Sequence, residues 1–108
     1  MLPGQIILGN GSHELLMQFA LVFASANDEV LVSQYCFAVY PIASKAVGAQ
    51  LVVVAANNLQ DAMPLGHDLD AMLEKIKTKT KLICFANPNN PKGTWFSTEK
   101  LRKKKKKV

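Results

Sequence analysis

Cysteine is scarce in this chain, which holds only Cys36 and Cys84, a spacing that fits neither a Cys-x-x-Cys redox pair nor a zinc-binding motif. With no disulfide framework implied, a reducing cytoplasm is the expected compartment. Histidine is equally sparse: His67 and Asp68 adjoin but match no metal-ligand spacing, so no metal site is expected. Long apolar runs are missing too. The longest, around Leu15 to Ala24, is interrupted by Gln18 and falls well short of the ~20 residues that span a bilayer. Residues Met1 to Gln5 lack a basic region leading into an apolar stretch, so no signal peptide is expected. Acids are few, eight against thirteen lysines and arginines, for a net charge of +5. That excess sits at one end: from Glu99 onward there are seven basic residues and one acid, leaving −1 for everything before. A basic face able to grip phosphate backbones is therefore confined to Lys100, Arg102 and Lys103 to Lys107.

What remains is globular in composition. The 108 residues are 49% hydrophobic and 19% charged, enough for one domain and no second. Short apolar runs alternate with helical patterns. Gln5 to Leu8 reads as a strand ending at Gly9-Asn10-Gly11, and Leu15, Phe19, Val22 and Phe23 then recur at helical spacing. The helix is expected over Ser12 to Ala24, with Ser12 as N-cap and Glu14 in the first turn. Glu29 to Ser33 is an unbroken apolar strand of the kind buried on both faces of a parallel sheet, followed by a helix over Tyr40 to Val47 that closes at Gly48. Gln50 to Ala55 is a third buried strand and Ala56 to His67 a loop. Asp68 caps a helix whose Leu69, Met72, Leu73 and Ile76 share a face. Lys81 to Ala86 is a fourth strand. This alternation predicts an α/β fold, three layers with a mostly parallel sheet between flanking helices.

The densest signal is the turn after the fourth strand, Asn87-Pro88-Asn89-Asn90-Pro91-Lys92-Gly93. Its prolines forbid regular structure, and its asparagines tolerate turn geometry while offering amide groups. Ligands of open parallel sheets sit beyond the carboxyl ends of the strands. The glycine turn, the segment after Ser33 and the asparagine turn all fall there, so the three should gather on one edge. The amino end of the first helix presents unpaired N–H groups with glycines alongside, a geometry suited to phosphate. By pattern alone Phe37 reads as core, Tyr35 and Tyr40 as packing residues with reachable hydroxyls, and His13 as either a solvent-facing helix residue or one close to a ligand.

The asparagine turn resembles the Asn-Pro-x-Asn-Pro-Thr-Gly signature of the fold type I aminotransferases that use pyridoxal 5'-phosphate. Gly9 to Glu14, Ser33 to Pro41 (SQYCFAVYP) and Gly66-His67-Asp68-Leu69-Asp70 fit the same family in the same order. Together they are similar to the histidinol-phosphate aminotransferases. The likeness covers about Gln5 to Trp95 and implies a partial large, cofactor-binding domain over residues 1–98. It implies amino transfer between an amino-acid-like phosphate and a 2-oxo acid, in histidine biosynthesis, by a cytoplasmic homodimer. By this resemblance Gly11, Ser12 and His13 would hold the cofactor's phosphate, though relatives carry Asp or Asn at the position of His13. Phe37 would stack on its ring and Asn90 would donate to its phenolic oxygen.

The resemblance also implies absences. The imine-forming lysine, the acid facing the ring nitrogen, the tyrosine on the phenolic oxygen and the substrate-binding arginines are expected outside this chain. Lys92 stands where the family has threonine and is not the imine lysine, so the chain is expected to be inactive alone. Residues 99–108 are expected to be a lysine-rich tail, disordered or a truncation or frameshift end. Two other readings stay open. One is a related enzyme such as a threonine-phosphate decarboxylase or another class I/II aminotransferase. The other is a non-catalytic module whose basic tail binds nucleic acid or acidic partners.

Overall fold

The structure, a computed structural model, describes residues 1–105. Its helices are α1 (Gly11–Phe23), α2 (Val39–Ala46), α3 (Leu69–Glu74) and α4 (Thr98–Lys105). Its strands are β1 (Glu29–Ser33), β2 (Gln50–Val54) and β3 (Thr80–Cys84). The sheet has the order β2-β1-β3 and both pairings are parallel. Glu29 to Ser33 align with Gln50 to Val54 on one side. On the other side Val30, Leu31 and Val32 face Leu82, Ile83 and Cys84, after a register shift between Glu29 and Val30.

The unbroken apolar run of β1 has its cause in this placement: the strand is central, buried along its whole length, and feeds two cores at once. Leu31 points into a cluster with Val54, Leu69, Met72 and Phe96, which α3 and Leu101 of α4 cover. Val30 and Val32 point the other way, against Ala24, Tyr40, Leu16 and Phe37, under α1 and α2. These are the three layers expected from the sequence.

Local signals set the ends of the elements. The Asp68 side chain accepts the Ala71 N–H at 3.0 Å and so caps α3. Chain reversal after α2 falls at Gly48, whose φ of +76° disfavours any residue with a Cβ. In α4 the Ser97 hydroxyl accepts the Lys100 N–H at 3.1 Å, and Lys104 pairs with Asp70 of α3. Of the stretch read as a lysine-rich tail, residues through Lys105 thus belong to a helix, and residues 106–108 lie outside those described.

Three expectations need correction. No strand forms over Gln5 to Leu8. Pro3–Gln5 is a 3-10 turn, and Ile6, Ile7 and Leu8 are exposed, so the described sheet has three strands rather than four. An apolar run becomes a strand only where a neighbour pairs with it, and here none does. β2 is not fully buried: it lies at an edge with one pairing partner, and Val53 is 55% exposed. Finally, Ser12 is not the cap of α1. The helix begins at Gly11, and Glu14 reaches back to accept the Asn10 N–H at 2.9 Å.

Candidate functional site

β1 and β3 both end at the carboxyl edge of the sheet, and the segments that follow them are tied together there. The asparagine turn is built by its own side chains. Asn87 grips Phe96 twice: its Nδ2 donates to the Phe96 carbonyl at 2.9 Å and its Oδ1 accepts the Phe96 N–H at 3.0 Å. Inside that clamp the Asn89 N–H donates to the Thr94 carbonyl at 2.7 Å, and the Gly93 N–H to the Asn89 carbonyl at 2.8 Å. The buried Asn89 then reaches across, its Nδ2 donating to the Tyr35 carbonyl at 3.0 Å. A second bridge runs between the same segments, with the Lys92 ammonium 4.9 Å from the centre of the Tyr35 ring.

Tyr35 is thus the junction of the two loops. Its φ is +60°, a left-handed conformation uncommon for a bulky residue, and the residue is 41% exposed. Tyr35 stands at the rim, partly exposed. Phe37 lies deeper, half-buried on the α1/α2 core, with its ring edge-on to Tyr40 at 6.0 Å. Asn90 is exposed, and its side chain makes no hydrogen bond among the described residues. Two of the three expected site motifs therefore meet through direct contacts, by way of Tyr35 and Asn89 rather than the residues first singled out.

The third motif reaches the same edge by topology. A tight turn, with the Ser25 N–H and hydroxyl both on Asp28 Oδ2 at 2.9 Å, joins the end of α1 to the start of β1. α1 packs against α2 and β3, and its thirteen residues extend about 20 Å, comparable to the length of the strands. Its amino end, with Gly11, Ser12 and His13 exposed and Gly11 at a φ of +74°, thus lies toward the carboxyl edge. No hydrogen bond or ring contact joins these three residues to Phe37 or Asn90 among the described residues.

Burial pushes the Cys84 thiol up to about 11, with a smaller contribution from Cys36, and burial raises Cys36 as well. Neither sulfur is a thiolate at neutral pH, and both pack on the second core cluster. His67 is a residue whose part the sequence reading missed. It is buried with its Nε2 at 3.0 Å from the Ala86 carbonyl, and burial lowers its pKa from the ordinary imidazole value. Among the described residues no three His, Cys, Asp or Glu side chains are grouped to hold a metal, and no helix is long and apolar enough to cross a membrane.

Comparison with known proteins agrees with this architecture. The family model described as aminotransferase class I and II matches residues 2–107. Histidinol-phosphate aminotransferase 2 of Hydrogenovibrio crunogenus is 54% identical over 95 residues, covering 88% of this chain and 24% of that protein. Histidinol-phosphate aminotransferase 1 of Idiomarina loihiensis is 48% identical over 98 residues, covering 91% of this chain and 25% of that protein. Among solved structures, histidinol-phosphate aminotransferase from Sinorhizobium meliloti in complex with pyridoxal-5'-phosphate shares the fold, with a TM-score of 0.80 at 24% identity over 93% of this chain and 26% of that one. The chain thus spans about a quarter of the length of the curated relatives it matches. Matched by the family model along nearly its whole length, it belongs to the class I and II aminotransferases.

Proposed function

We propose that this chain is part of the cofactor-binding wall of a pyridoxal phosphate-dependent histidinol-phosphate aminotransferase, which exchanges an amino group between histidinol phosphate and a 2-oxo acid. The observation that carries this reading is the pair of bridges at Tyr35. They fix the asparagine turn to the loop after β1 while leaving the Asn90 amide unengaged at the same rim. The identity to proteins named histidinol-phosphate aminotransferase supports the substrate.

The residues present fit the group. Asn90, exposed at the rim, would offer its amide as a donor to the cofactor's phenolic oxygen. The exposed amino end of α1 offers the N–H groups of Ser12 and His13 for a phosphate, with no side chain on Gly11 to obstruct them. A Cβ built on Gly11 would meet nothing within 4 Å, so that approach is open. Phe37, half-buried beside Tyr40 after β1, is the ring assigned to stack on the cofactor, and the partly exposed Tyr35, under the Lys92 ammonium, flanks it at the rim. When bound, pyridoxal phosphate supplies the electron-withdrawing ring that lets a proton move at the carbon carrying the amino group. This chain's own residues bind and orient that ring. No part in moving the proton is assigned to Lys92, whose ammonium lies over the Tyr35 ring.

In this reading residues 1–98 are the aminotransferase portion and 99–108 a lysine-rich extension. The whole protein works as a homodimer in the cytoplasm. The test is titration of the full chain with pyridoxal phosphate, followed by quenching of Trp95. Weak saturable binding is expected, lowered roughly five- to tenfold by Asn90→Ala, the worth of one hydrogen bond of about 1–1.4 kcal/mol. With an amino donor added, transamination should not exceed that of free pyridoxal phosphate. Binding indifferent to Asn90 overturns the site, and turnover above the free cofactor overturns the inactivity.

A further inference from the structure

We propose that His67 is a positioning residue: its uncharged imidazole holds the root of the asparagine turn and thereby sets the orientation in which Asn90 is presented. Apart from its bridges to Tyr35, the turn is held at its base from two sides. On its return side Asn87 clamps Phe96 by two hydrogen bonds. On its entry side the anchor is the Ala86 carbonyl, 3.0 Å from His67 Nε2. A carbonyl only accepts, so Nε2 carries the hydrogen and Nδ1 is a bare acceptor. His67 comes from the loop before α3, nineteen residues away from Ala86 in sequence, so this contact is a tertiary latch rather than a feature of the turn itself.

The setting makes the latch depend on charge. His67 is 4% exposed and stands against two rings, Phe85 and Phe96, each at 6.1 Å, which themselves lie 5.5 Å apart. Its Nδ1 is buried with no partner among the described residues. Protonation would put a charge into this apolar cage and a hydrogen on Nδ1 with no acceptor to meet it. Among the described residues no carboxylate bonds to it. Asp68 turns its Oδ1 to the Ala71 N–H, Asp70 on α3 is paired with Lys104 of α4, and the segment after β3 and the 94–96 return offer Phe85, Ala86 and Phe96. Burial is the leading cause that lowers the imidazole's affinity for a proton, against a smaller opposing contribution from the Ala86 bond. On protonation the ring leaves the cage, Ala86 is released, and the turn loses its entry-side anchor while the Asn87 clamp and the Tyr35 bridges remain.

The effect on cofactor binding rests on the reading of Asn90 given above, but the latch can be tested without any ligand. Trp95, the only tryptophan, adjoins Phe96 in the return segment and reports on the turn. In the full chain, lowering the pH from 8 to 5 should give one reversible transition in Trp95 emission and acrylamide quenching. Its midpoint should lie below the ~6.5 of free imidazole, with the far-ultraviolet circular dichroism retained. His67→Gln, which can donate but not titrate there, should abolish the transition. His67→Phe, which fills the cage without the bond, should show the acid-form emission already at pH 8. A transition that survives in His67→Gln, or none in the unsubstituted chain, overturns the latch.

Should His67→Gln fail to fold, nitrogen-15 spectra of the histidine rings in the unsubstituted chain decide. A neutral Nε2–H tautomer persisting below pH 6.5 supports the latch, whereas titration like a free imidazole overturns it. The two readings separate cleanly. A His67-dependent transition without Asn90-dependent cofactor binding keeps the latch and removes the site. The converse keeps the site and removes the latch.

Discussion

Asn89 and Asn90 are neighbours in the turn, yet only Asn89 is tied into the fold. Truncating Asn89 leaves the Tyr35 carbonyl without its donor beside a buried void, so Asn89→Ala should destabilise by about 1–3 kcal/mol. Asn90→Ala, at an exposed position, should change stability by less than about 0.5 kcal/mol. Urea midpoints of the two variants check the contrast, and equal losses would show that Asn90 also belongs to the scaffold. Cys84 gives a second test. With the thiol pushed up to about 11, its thiolate fraction at pH 8 is roughly a hundredth or less of that of an ordinary thiol near 8.5. Alkylation of Cys84 in the native chain should therefore be roughly a hundredfold slower than after unfolding, as mass spectrometry of timed labelling would show. At this scale residue type was a good guide to position in the chain and a poor one to direction. An aromatic after Ser33 was legible as a ring near the strand end. That Tyr35 stands at the rim follows from its left-handed backbone and the bond its carbonyl accepts from Asn89, a contact spanning 54 residues that no local pattern encodes.

Among the elements, β1 and β2 carry similar apolar sequences but very different burial. Leu31 is 0% exposed between two helical layers, so Leu31→Ala should cost about 2–5 kcal/mol, a loss large enough to unfold a domain of this size. Val53 on the edge strand should tolerate alanine within about 0.5 kcal/mol. Thermal melts of the pair measure the difference, and similar losses would contradict the strand order. The elements themselves were largely readable: the unbroken run of β1, the Asp68 cap and the Gly48 stop are local features with local causes. Strand pairing is not local, and there the sequence reading erred. Nothing within Gln5 to Leu8 reveals that no partner strand lies beside it, and nothing within Gln50 to Val54 reveals that only one side is covered. The lysine-rich stretch shows the same principle in reverse. Leu101 packs on the first core and Lys104 pairs with Asp70, so neighbours supplied by the fold make a helix of residues that repel one another in isolation.

As a whole molecule the chain has more apolar surface than it covers. Ile6, Ile7, Leu8, Leu21, Val22 and Phe23 are all more than half exposed, and Ile7, Leu15, Gln18, Phe19, Val22 and Phe23 line a groove along the outer face of α1. The radius of gyration of 14.3 Å exceeds the ~13 Å of a compact domain near this length, in keeping with an amino-terminal arm that is exposed throughout. β2 and β3 each pair on one side only, so backbone donors and acceptors at both edges of the sheet lack strand partners among the described residues. Apolar surface of this extent and open parallel edges both favour association of one copy with another. Sedimentation velocity should therefore show reversible or irreversible oligomers growing with concentration between micromolar and hundreds of micromolar. The groove and the edges can be told apart. Replacing Val22 and Phe23 with lysine removes the apolar face without touching the buried Ala20 or either core cluster, so it should raise the monomer fraction and leave the melting temperature within a few degrees. If the doubly substituted chain associates as strongly as the original, the sheet edges drive the contact. If the original is a monomer with a sharp, concentration-independent melt, its exposed face is no liability and the association argument fails.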